Sequence, residues 1–380
     1  MIIFFGIVLT VYLTVNYYIM RRGLQSLPRR KSLRIAYISV FILLALSYIA
    51  GRLFERWEFI DLARIFTLVG AFWIASILYF FLLILFADFL RALNGFFHFF
   101  PDFIKQNWQK TKLITFYSII GITVTIVFLG YVNAREPVIN NIYIKVDKKV
   151  KGMKTLRIAA VSDIHLGIIN GKSFVNDLIK RLQELDADII VLPGDILDES
   201  ESAAVDYTIC QSFKLLNPKY GIWAVPGNHE YYGGINHAMR FLRYCGIKVL
   251  RDNCVEIDEK FYLAGREDYS KNRLTEKARK ELNVILKGID RTKPVILLDH
   301  QPINLNDAYR EKIDLQISGH THHGQLWPLN IITNAVYELS YGYMQKGKTH
   351  YYVSDGYGTW GPPVRVGNTP EIVLITITFE

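Results

Sequence analysis

The stretch ISGHTHHGQLWP, from Ile317 to Pro328, holds three of the chain's nine histidines within four residues, at His320, His322 and His323. A short apolar run precedes these histidines, and a loop with Gly and Pro follows them. This order is typical of a buried strand that ends in a turn. Imidazoles grouped at the end of a strand predict metal binding or proton transfer, and other predicted strands of this chain end in similar residues.

Eight short apolar runs rich in β-branched residues lie between positions 156 and 380, and we predict that they form buried strands. Apolar residues at helical spacing predict helices over residues 173–186 and 275–288, with Ser173 and Thr275 as N-caps. This mixture predicts an α/β domain whose sheets are covered by helices. The eight runs are LRIAAVSD, DIIVLPGD, GIWAVPGN, KFYLAGRED, PVILLDH, DLQISGH, HYYVSDG and EIVLITITF.

Five of these predicted strands end in residues that can bind a metal or move a proton. In an extended chain residues i and i+2 point the same way, so Asp163 can face one point with His165, and His320 can do so with His322. Ligand sites in open α/β sheets lie at the carboxyl ends of strands. Each short pattern alone arises by chance, but all five in this order predict a single site. The candidates are Asp163, His165, Asp195, Asn228, His229, His300, His320 and His322.

The chemistry of these donors predicts two metal ions. Without His229 the set contains two Asp, one Asn and four His, which is more than one ion uses comfortably. Two ions that share the carboxylate of Asp195 would use all seven. Mixed carboxylate and imidazole ligands fit Mn, Fe or Zn. Two metals about 3.5–4 Å apart form a clamp for in-line displacement at phosphorus, which predicts a metal-dependent phosphoric ester hydrolase.

The series DIH, GD, GNHE, H and GHTH, spread from Asp163 to His322, resembles the calcineurin-like metallophosphoesterase superfamily. With the ending SDGYGTWGPPVRVGNTPEI, the chain looks most like the membrane-associated bacterial branch that includes the YkuE- and YaeI-type phosphoesterases. The resemblance covers most of residues 150–380 and says nothing specific about the first 134. It implies a two-layered β-sandwich flanked by helices, with a dinuclear metal centre.

The resemblance also implies a role for each matched residue. His229 would donate a proton to the leaving oxygen, and a metal-bridging hydroxide would attack phosphorus. One metal would take Asp163, His165, Asp195 and His322, and the other would take Asp195, Asn228, His300 and His320.

Two further residues are candidates for substrate binding. His323 stands where relatives often carry Gly in GHTHGG, so it is a substrate contact, a partner of a metal ligand or a tolerated substitution. Arg365, in the segment PPVRVG, either contacts the substrate or forms a structural salt bridge.

The first third of the chain is predicted to be a membrane region. Residues 2–20, 35–51, 65–87 and 113–134 contain no Asp, Glu, Lys or Arg, and each run is about long enough to cross ~30 Å of hydrocarbon as a helix. The first run lacks a basic n-region and a clear cleavage site, which favours a span over a signal peptide. We predict four transmembrane helices over residues 1–134, a linker and early strand over 135–154, and a metallophosphoesterase domain over 155–380.

Loop charges predict the orientation in the membrane. The 21–34 loop carries six Lys and Arg, and the 88–112 loop carries four. Basic loops remain in the cytoplasm, so we predict a multi-pass protein of the inner membrane with an extracytoplasmic catalytic domain. The basic stretch over residues 135–154 argues in the opposite direction.

The net charge of +9 does not indicate a nucleic-acid partner. Residues 1–134 contain 13 Lys and Arg against 5 Asp and Glu, whereas residues 135–380 contain 31 against 30. The catalytic part is therefore nearly neutral, and no nucleic acid is expected to bind. The three cysteines are Cys210, Cys245 and Cys254, and none of them has CxxC spacing. Spacing alone does not establish a disulfide, so we expect all three to be small, buried apolar side chains.

The leading hypothesis is a membrane-anchored, dinuclear-metal-dependent phosphoesterase or phosphodiesterase, with lipid-linked phosphoesters among its candidate substrates. One alternative is the UDP-2,3-diacylglucosamine pyrophosphatase of lipid A synthesis, whose cytoplasmic substrate conflicts with the predicted orientation. A second alternative is a non-catalytic, membrane-bound sensing domain, and the complete set of ligands counts against it.

Overall fold

The apolar runs of the first third of the chain form long helices. The structure is a computed structural model that describes residues 2–198, 207–275 and 277–380. The helices of this part are α1 (Ile2–Ser26), α2 (Lys31–Arg56), α3 (Ile60–Phe97), α4 (Asp102–Gln106) and α5 (Trp108–Asn133). Among the described residues, α2, α3 and α5 are long and apolar enough to cross a membrane. The first predicted span lies in α1, and the count of four spans stays a prediction.

The chain divides into two compact units. Residues 1–131 with residues 361–364 form the first unit, and residues 132–360 with residues 365–380 form the second. The second unit begins at the last residues of α5 and contains every strand of the described residues.

Twelve strands of the described residues form two six-stranded sheets in the second unit. The first sheet has the order β1-β12-β2-β3-β4-β5, in which β2, β3 and β4 are parallel and β12 is antiparallel to β2. Its strands are β1 (Val138–Val146), β2 (Thr155–Ala160), β3 (Ile189–Pro193), β4 (Ile222–Val225), β5 (Lys248–Val249) and β12 (Glu371–Phe379).

The second sheet has the order β10-β11-β9-β8-β7-β6, in which β7, β8, β9 and β11 run parallel. Its strands are β6 (Asn253–Ile257), β7 (Phe261–Gly265), β8 (Val295–Leu298), β9 (Leu315–Ser318), β10 (Gly342–Lys346) and β11 (Thr349–Val353). All eight runs that the sequence pattern indicated are strands in the two sheets.

Each sheet has one face toward the other sheet and one face toward the helices, because successive residues of a strand point to opposite sides of the sheet. In β3, Ile189 and Val191 join the core between the sheets, whereas Ile190 and Leu192 pack toward the outer helices. The helices of this unit are α6 (Lys172–Glu184), α7 (Ile209–Phe213), α8 (Asn228–Tyr232), α9 (Ile235–Tyr244), α10 (Ser270–Leu274), α11 (Leu282–Ile285), α12 (Asn306–Arg310) and α13 (Asn330–Val336). The predicted two-layered sandwich with flanking helices is confirmed.

Both predicted N-caps are wrong. Gly171 is the N-cap of α6, so Ser173 lies inside the helix. The predicted helix over residues 275–288 shrinks to α11, and the Thr275 hydroxyl instead bonds the carbonyls of Lys271 and Lys277. Side chains from elsewhere bond the backbone of this segment, as Asn272 does for the N–H of Arg279. These bonds compete with the helical pattern of backbone hydrogen bonds.

Two of the three cysteines form a disulfide, contrary to the expectation that all three are simply small buried side chains. Cys210 in α7 is bonded to Cys245 at the end of α9, and both side chains are fully buried. Cys254 is a free thiol. The bridge joins two helices that cover the same outer face of the first sheet.

Candidate metal centre

The candidate residues come together where the carboxyl ends of five strands meet. The strands β2, β3, β4, β8 and β9 each end two or three residues before a candidate residue or group of them. The loops after β2 and β3 are joined directly, because the N–H of Asp163 donates to the carbonyl of Gly194 and that of His165 to the carbonyl of Asp195. Two neighbouring strands thus present their donors at one edge of the sheet.

The ligand residues do not continue their strands, so the extended geometry used to predict their direction is wrong. Asp163, His165, Asp195 and His320 have φ values of 54°, 50°, 50° and 74°. Left-handed backbone is uncommon for residues other than glycine and costs free energy. Tight turns therefore aim these side chains, and each turn is held by bonds to neighbouring loops.

Glycine is required where backbone and ligand side chains approach most closely. A Cβ on Gly319 would lie 2.2 Å from Asp163 Oδ2, and a Cβ on Gly194, whose φ is 92°, would lie 2.4 Å from His300 Nδ1. Neither position has room for a side chain. The glycines before the ligands therefore permit the convergence of loops that the sequence pattern indicated.

The first group of ligand atoms belongs to Asp163, His165 and His322, all buried and with ligand atoms within 4.8 Å of one another. The two Nε2 atoms of His165 and His322 are 3.0 Å apart, and His322 Nε2 is 3.5 Å from Asp163 Oδ1. Burial lowers the pKa of His165 to about 3 and holds that of His322 well below its usual value. Both rings are therefore neutral, which is the state that binds metal.

The second group belongs to Asp195, His300 and His320, whose ligand atoms also lie within 4.8 Å of one another. His300 Nε2 is 3.1 Å from Asp195 Oδ2 and 3.2 Å from Asn228 Oδ1. Burial lowers the pKa of His320 to about 3. Burial also opposes the charged form of His300, but the Asp195 carboxylate prevails and raises the pKa of His300 well above its usual value.

The hydrogen bonding of His300 shows that these residues suit a cation. His300 Nδ1 lies 2.8 Å from the carbonyl oxygen of Pro193, which can only accept, so Nδ1 carries a proton. In a neutral ring, Nε2 then presents a lone pair toward the oxygens of Asp195. That arrangement requires positive charge between them, from a proton or a metal ion. Metal-binding histidines commonly have this bond from the second nitrogen to a carbonyl, and the cluster can hold divalent metal.

His229 lies beside both groups, in the first turn of α8. Its N–H donates to Asp195 Oδ1 at 2.9 Å, and its ring centroid is 4.6 Å from that of His165. His229 Nδ1 lies 3.2 Å from Asp198 Oδ1, so this carboxylate faces the ring. Asp198 is a functional candidate that sequence reasoning missed, although the second acid of GDILD was a visible signal.

Glu230 is a second residue that sequence reasoning missed. Its buried carboxylate accepts hydrogen bonds from the N–H groups of Asp195, Ile196, Leu197 and Gly227, at 2.7 to 3.1 Å. It therefore holds the loop after β3 against the start of α8. The letter E in GNHE was the available signal, but three of the four bonds join residues more than thirty positions apart.

The two predicted substrate contacts occupy different positions. Arg365 is completely buried, and its guanidinium donates to the carbonyls of Asp355, Gly356 and Gly358 and lies 3.4 Å from His322 Nδ1. This position favours a role in holding the loop behind His322. His323 is half-buried, with its Nδ1 3.0 Å from Ser340 Oγ. Substrate contact by either residue stays a prediction.

The comparisons with known proteins agree with this geometry. The family model described as calcineurin-like phosphoesterase matches residues 156–324, which contain both ligand groups and His229. An "uncharacterized metallophosphoesterase" of Aquifex aeolicus is 38% identical over 237 residues, covering 62% of this chain and 89% of that protein. A protein of the same name from Helicobacter pylori (strain J99) is 29% identical over 97% of this chain and 96% of its own length.

A "transmembrane protein with metallophosphoesterase domain" of Bos taurus is 30% identical and covers 71% of this chain and 64% of its own length. This similarity and the three apolar helices indicate association with a membrane. Membership of the YkuE/YaeI-type branch stays a prediction. The extent of the Aquifex aeolicus match and the match to the family model show that the chain belongs to the calcineurin-like phosphoesterase family.

Proposed function

We propose that this protein is a membrane-anchored phosphoesterase that uses two divalent metal ions to hydrolyse a phosphoester or phosphodiester. One observation carries the proposal: the two groups of ligand atoms meet at Asp195. Its carboxylate belongs to the group with His300 and His320, and it also lies within 4.8 Å of ligand atoms of His165 and His229. A carboxylate in that position suits a bridge between two metal sites.

In this proposal the first metal is held by Asp163, His165, Asp195 and His322, and the second by Asp195, Asn228, His300 and His320. When bound, two such ions supply Lewis-acid stabilisation of the phosphoryl oxygens and an activated water. Mn, Fe or Zn fits these ligands.

His229 has the contacts of a general acid for the leaving oxygen. Asp198 stabilises the protonated ring through Nδ1, and the backbone bond from His229 to Asp195 fixes the ring beside the ligands. A proton on Nε2 can then pass to the departing alkoxide or phosphate, which is the usual contribution of a positioned histidine.

The test uses the purified full-length protein in detergent. We expect hydrolysis of bis-p-nitrophenyl phosphate, loss of activity in excess EDTA, and recovery on addition of Mn²⁺, Fe²⁺ or Zn²⁺. Undiminished hydrolysis after the metal content has been reduced to zero would contradict the proposal.

We also propose that residues 1–134 anchor the enzyme as a multi-pass protein of the inner membrane, with residues 155–380 outside the cytoplasm. The disulfide Cys210–Cys245 supports this side, because disulfides persist in oxidising compartments and are rare in the cytosol. The same observation disfavours the UDP-2,3-diacylglucosamine pyrophosphatase alternative, whose substrate is cytoplasmic.

A further inference from the structure

Five large apolar side chains near the metal centre are exposed. We call Trp327, Ile331, Ile332, Val336 and Trp360 the apolar rim, and each is more than half exposed. Gln325 links Trp360 to the segment that carries the other four residues. The Gln325 side chain accepts a hydrogen bond from the N–H of Trp360 and donates one to the carbonyl of Trp360. Soluble proteins rarely expose large contiguous apolar patches unless the patch binds something.

The segment that carries most of this rim has no charge. Residues 325–337 contain no Asp, Glu, Lys or Arg, and α13 buries none of its residues. An ordinary surface helix keeps apolar residues on a buried face and polar residues outside. α13 instead presents Ile331, Ile332 and Val336 outward, with tryptophans nearby, a composition typical of segments that rest in a lipid interface.

One residue of the apolar rim and the residue that follows α13 lie beside the candidate metal centre. The ring of Tyr337, which follows α13 directly, is 6.1 Å from the ring of His320. The ring of Trp360 is 6.1 Å from the ring of His229. Apolar side chains therefore lie beside both the candidate ligands and His229.

The loop beside His322 is also bonded to the end of a helix that can cross a membrane. Asn133, the last residue of α5, lies in the same compact unit as the metal centre. Its Nδ2 donates to the carbonyls of Arg365 at 3.0 Å and Asn368 at 2.7 Å, and Asn368 in turn donates to the carbonyl of His322. Only residues 134–137 separate α5 from β1. The loop beside His322 is thus tied to the last residue of a helix that is long and apolar enough to cross a membrane.

We propose that the apolar rim enters the bilayer surface and receives the hydrocarbon chain of a membrane lipid, whose phosphoester is the substrate of the metal centre. This inference rests on the proposed function and narrows its substrate class to lipids that carry a phosphoester. It assigns α13 and Trp360 to substrate recognition, which neither the ligand set nor the family match does.

The experiment compares two diesters with the same leaving group, methyl p-nitrophenyl phosphate and hexadecyl p-nitrophenyl phosphate, on the full-length protein in nanodiscs. The test variant is Ile331→Ser with Ile332→Ser. The matched control is Leu215→Ser with Val284→Ser, which removes two exposed aliphatic side chains far along the chain from the rim.

We expect the wild type and the control to hydrolyse the hexadecyl ester with a kcat/KM at least about tenfold above that of the methyl ester, because an alkyl chain gains from burial against apolar side chains. The rim variant should hydrolyse the methyl ester at the wild-type rate and lose most of the preference for the long chain. An unchanged preference in the rim variant, or no preference in the wild type, would overturn the inference. If the metal-loaded wild type hydrolysed neither ester, that result would instead contradict the proposed function.

Discussion

At the scale of single residues, Asp195 has contacts that no other candidate ligand combines. Its Oδ2 faces His300 Nε2 at 3.1 Å, and its Oδ1 accepts from the N–H of His229 at 2.9 Å. His165 and His320 also lie within reach of its carboxylate. A change at Asp195 should therefore disturb both ligand groups, whereas a change at His229 removes a ring without removing a proposed ligand.

The first prediction separates metal binding from proton transfer. Asp195→Asn should lose metal and activity together, because the amide replaces a charged oxygen that both groups contact. His229→Ala should keep its metal and lose kcat by a factor on the order of 10²–10⁴, as expected for removal of a general acid. Metal content by elemental analysis and turnover of bis-p-nitrophenyl phosphate measure both effects. Equal metal loss in the two variants would contradict the role of His229.

The second prediction concerns Asp198, which acts through His229. Asp198→Asn keeps the size of the side chain and removes the charge that faces His229 Nδ1. We expect kcat to fall by about 10–100-fold, the usual effect of changing a residue that orients a functional histidine, with full metal content. The double variant with His229→Ala should be no slower than His229→Ala alone. An additive loss would show that Asp198 has a separate role.

At the scale of elements, the short helix α8 connects the two halves of the site. Asn228 and His229 lie in its first turn, and Glu230 reaches back to the loop after β3. Four backbone N–H groups depend on the Glu230 carboxylate. An element of five residues is too short to be stable alone, so these bonds and the burial of its side chains hold it in place.

The third prediction follows from those four bonds. Glu230→Gln places an NH₂ group among backbone donors and leaves buried N–H groups without acceptors, so the free energy of unfolding should fall by about 1–3 kcal/mol. Glu184→Gln, on the exposed surface of α6, is the control and should change little. Thermal unfolding of both variants in chelator measures the effect without a contribution from metal. Equal stability of the two variants would contradict the conclusion that Glu230 holds the loop after β3 in place.

At the scale of the whole molecule, the side of the membrane decides which substrates the centre can meet. Residues 21–34, around the turn between α1 and α2, carry six basic residues and favour the cytoplasm. Helix α5 is followed by β1 after only four residues. The disulfide Cys210–Cys245 favours an oxidising compartment for the catalytic unit. Two independent arguments therefore favour the same side.

The fourth prediction tests that side. Alkaline phosphatase fused after Glu380 should be active and green fluorescent protein at the same position should be dark, because the four predicted spans would return the chain to the outside. Fusions after Asn107, which lies between α4 and α5, should show the opposite pattern and serve as the control. A fluorescent fusion after Glu380 would reverse the orientation and restore the cytoplasmic pyrophosphatase as a candidate.

Local pattern determined much of this protein. The eight apolar runs became strands because burial and β-branching act over a few consecutive residues, and the polar residues after them met because parallel strands end at a common edge. The candidate residues that come together there could be named for the same reason. The long apolar helices followed from composition alone.

Tertiary structure decided what depends on residues far apart in the chain. Asp163 and His320 take left-handed backbone because neighbouring loops hold them there, and no rule for an extended strand predicts it. Contacts across the fold likewise pair Asp198 with His229, join Cys210 to Cys245 and shorten the helix expected over residues 275–288. The bonds from Asn133 to the loop beside His322 belong to the same class. The sequence of a segment shows which secondary structure that segment prefers. The features named here depend instead on which distant polar groups must form hydrogen bonds with one another once the segments are packed.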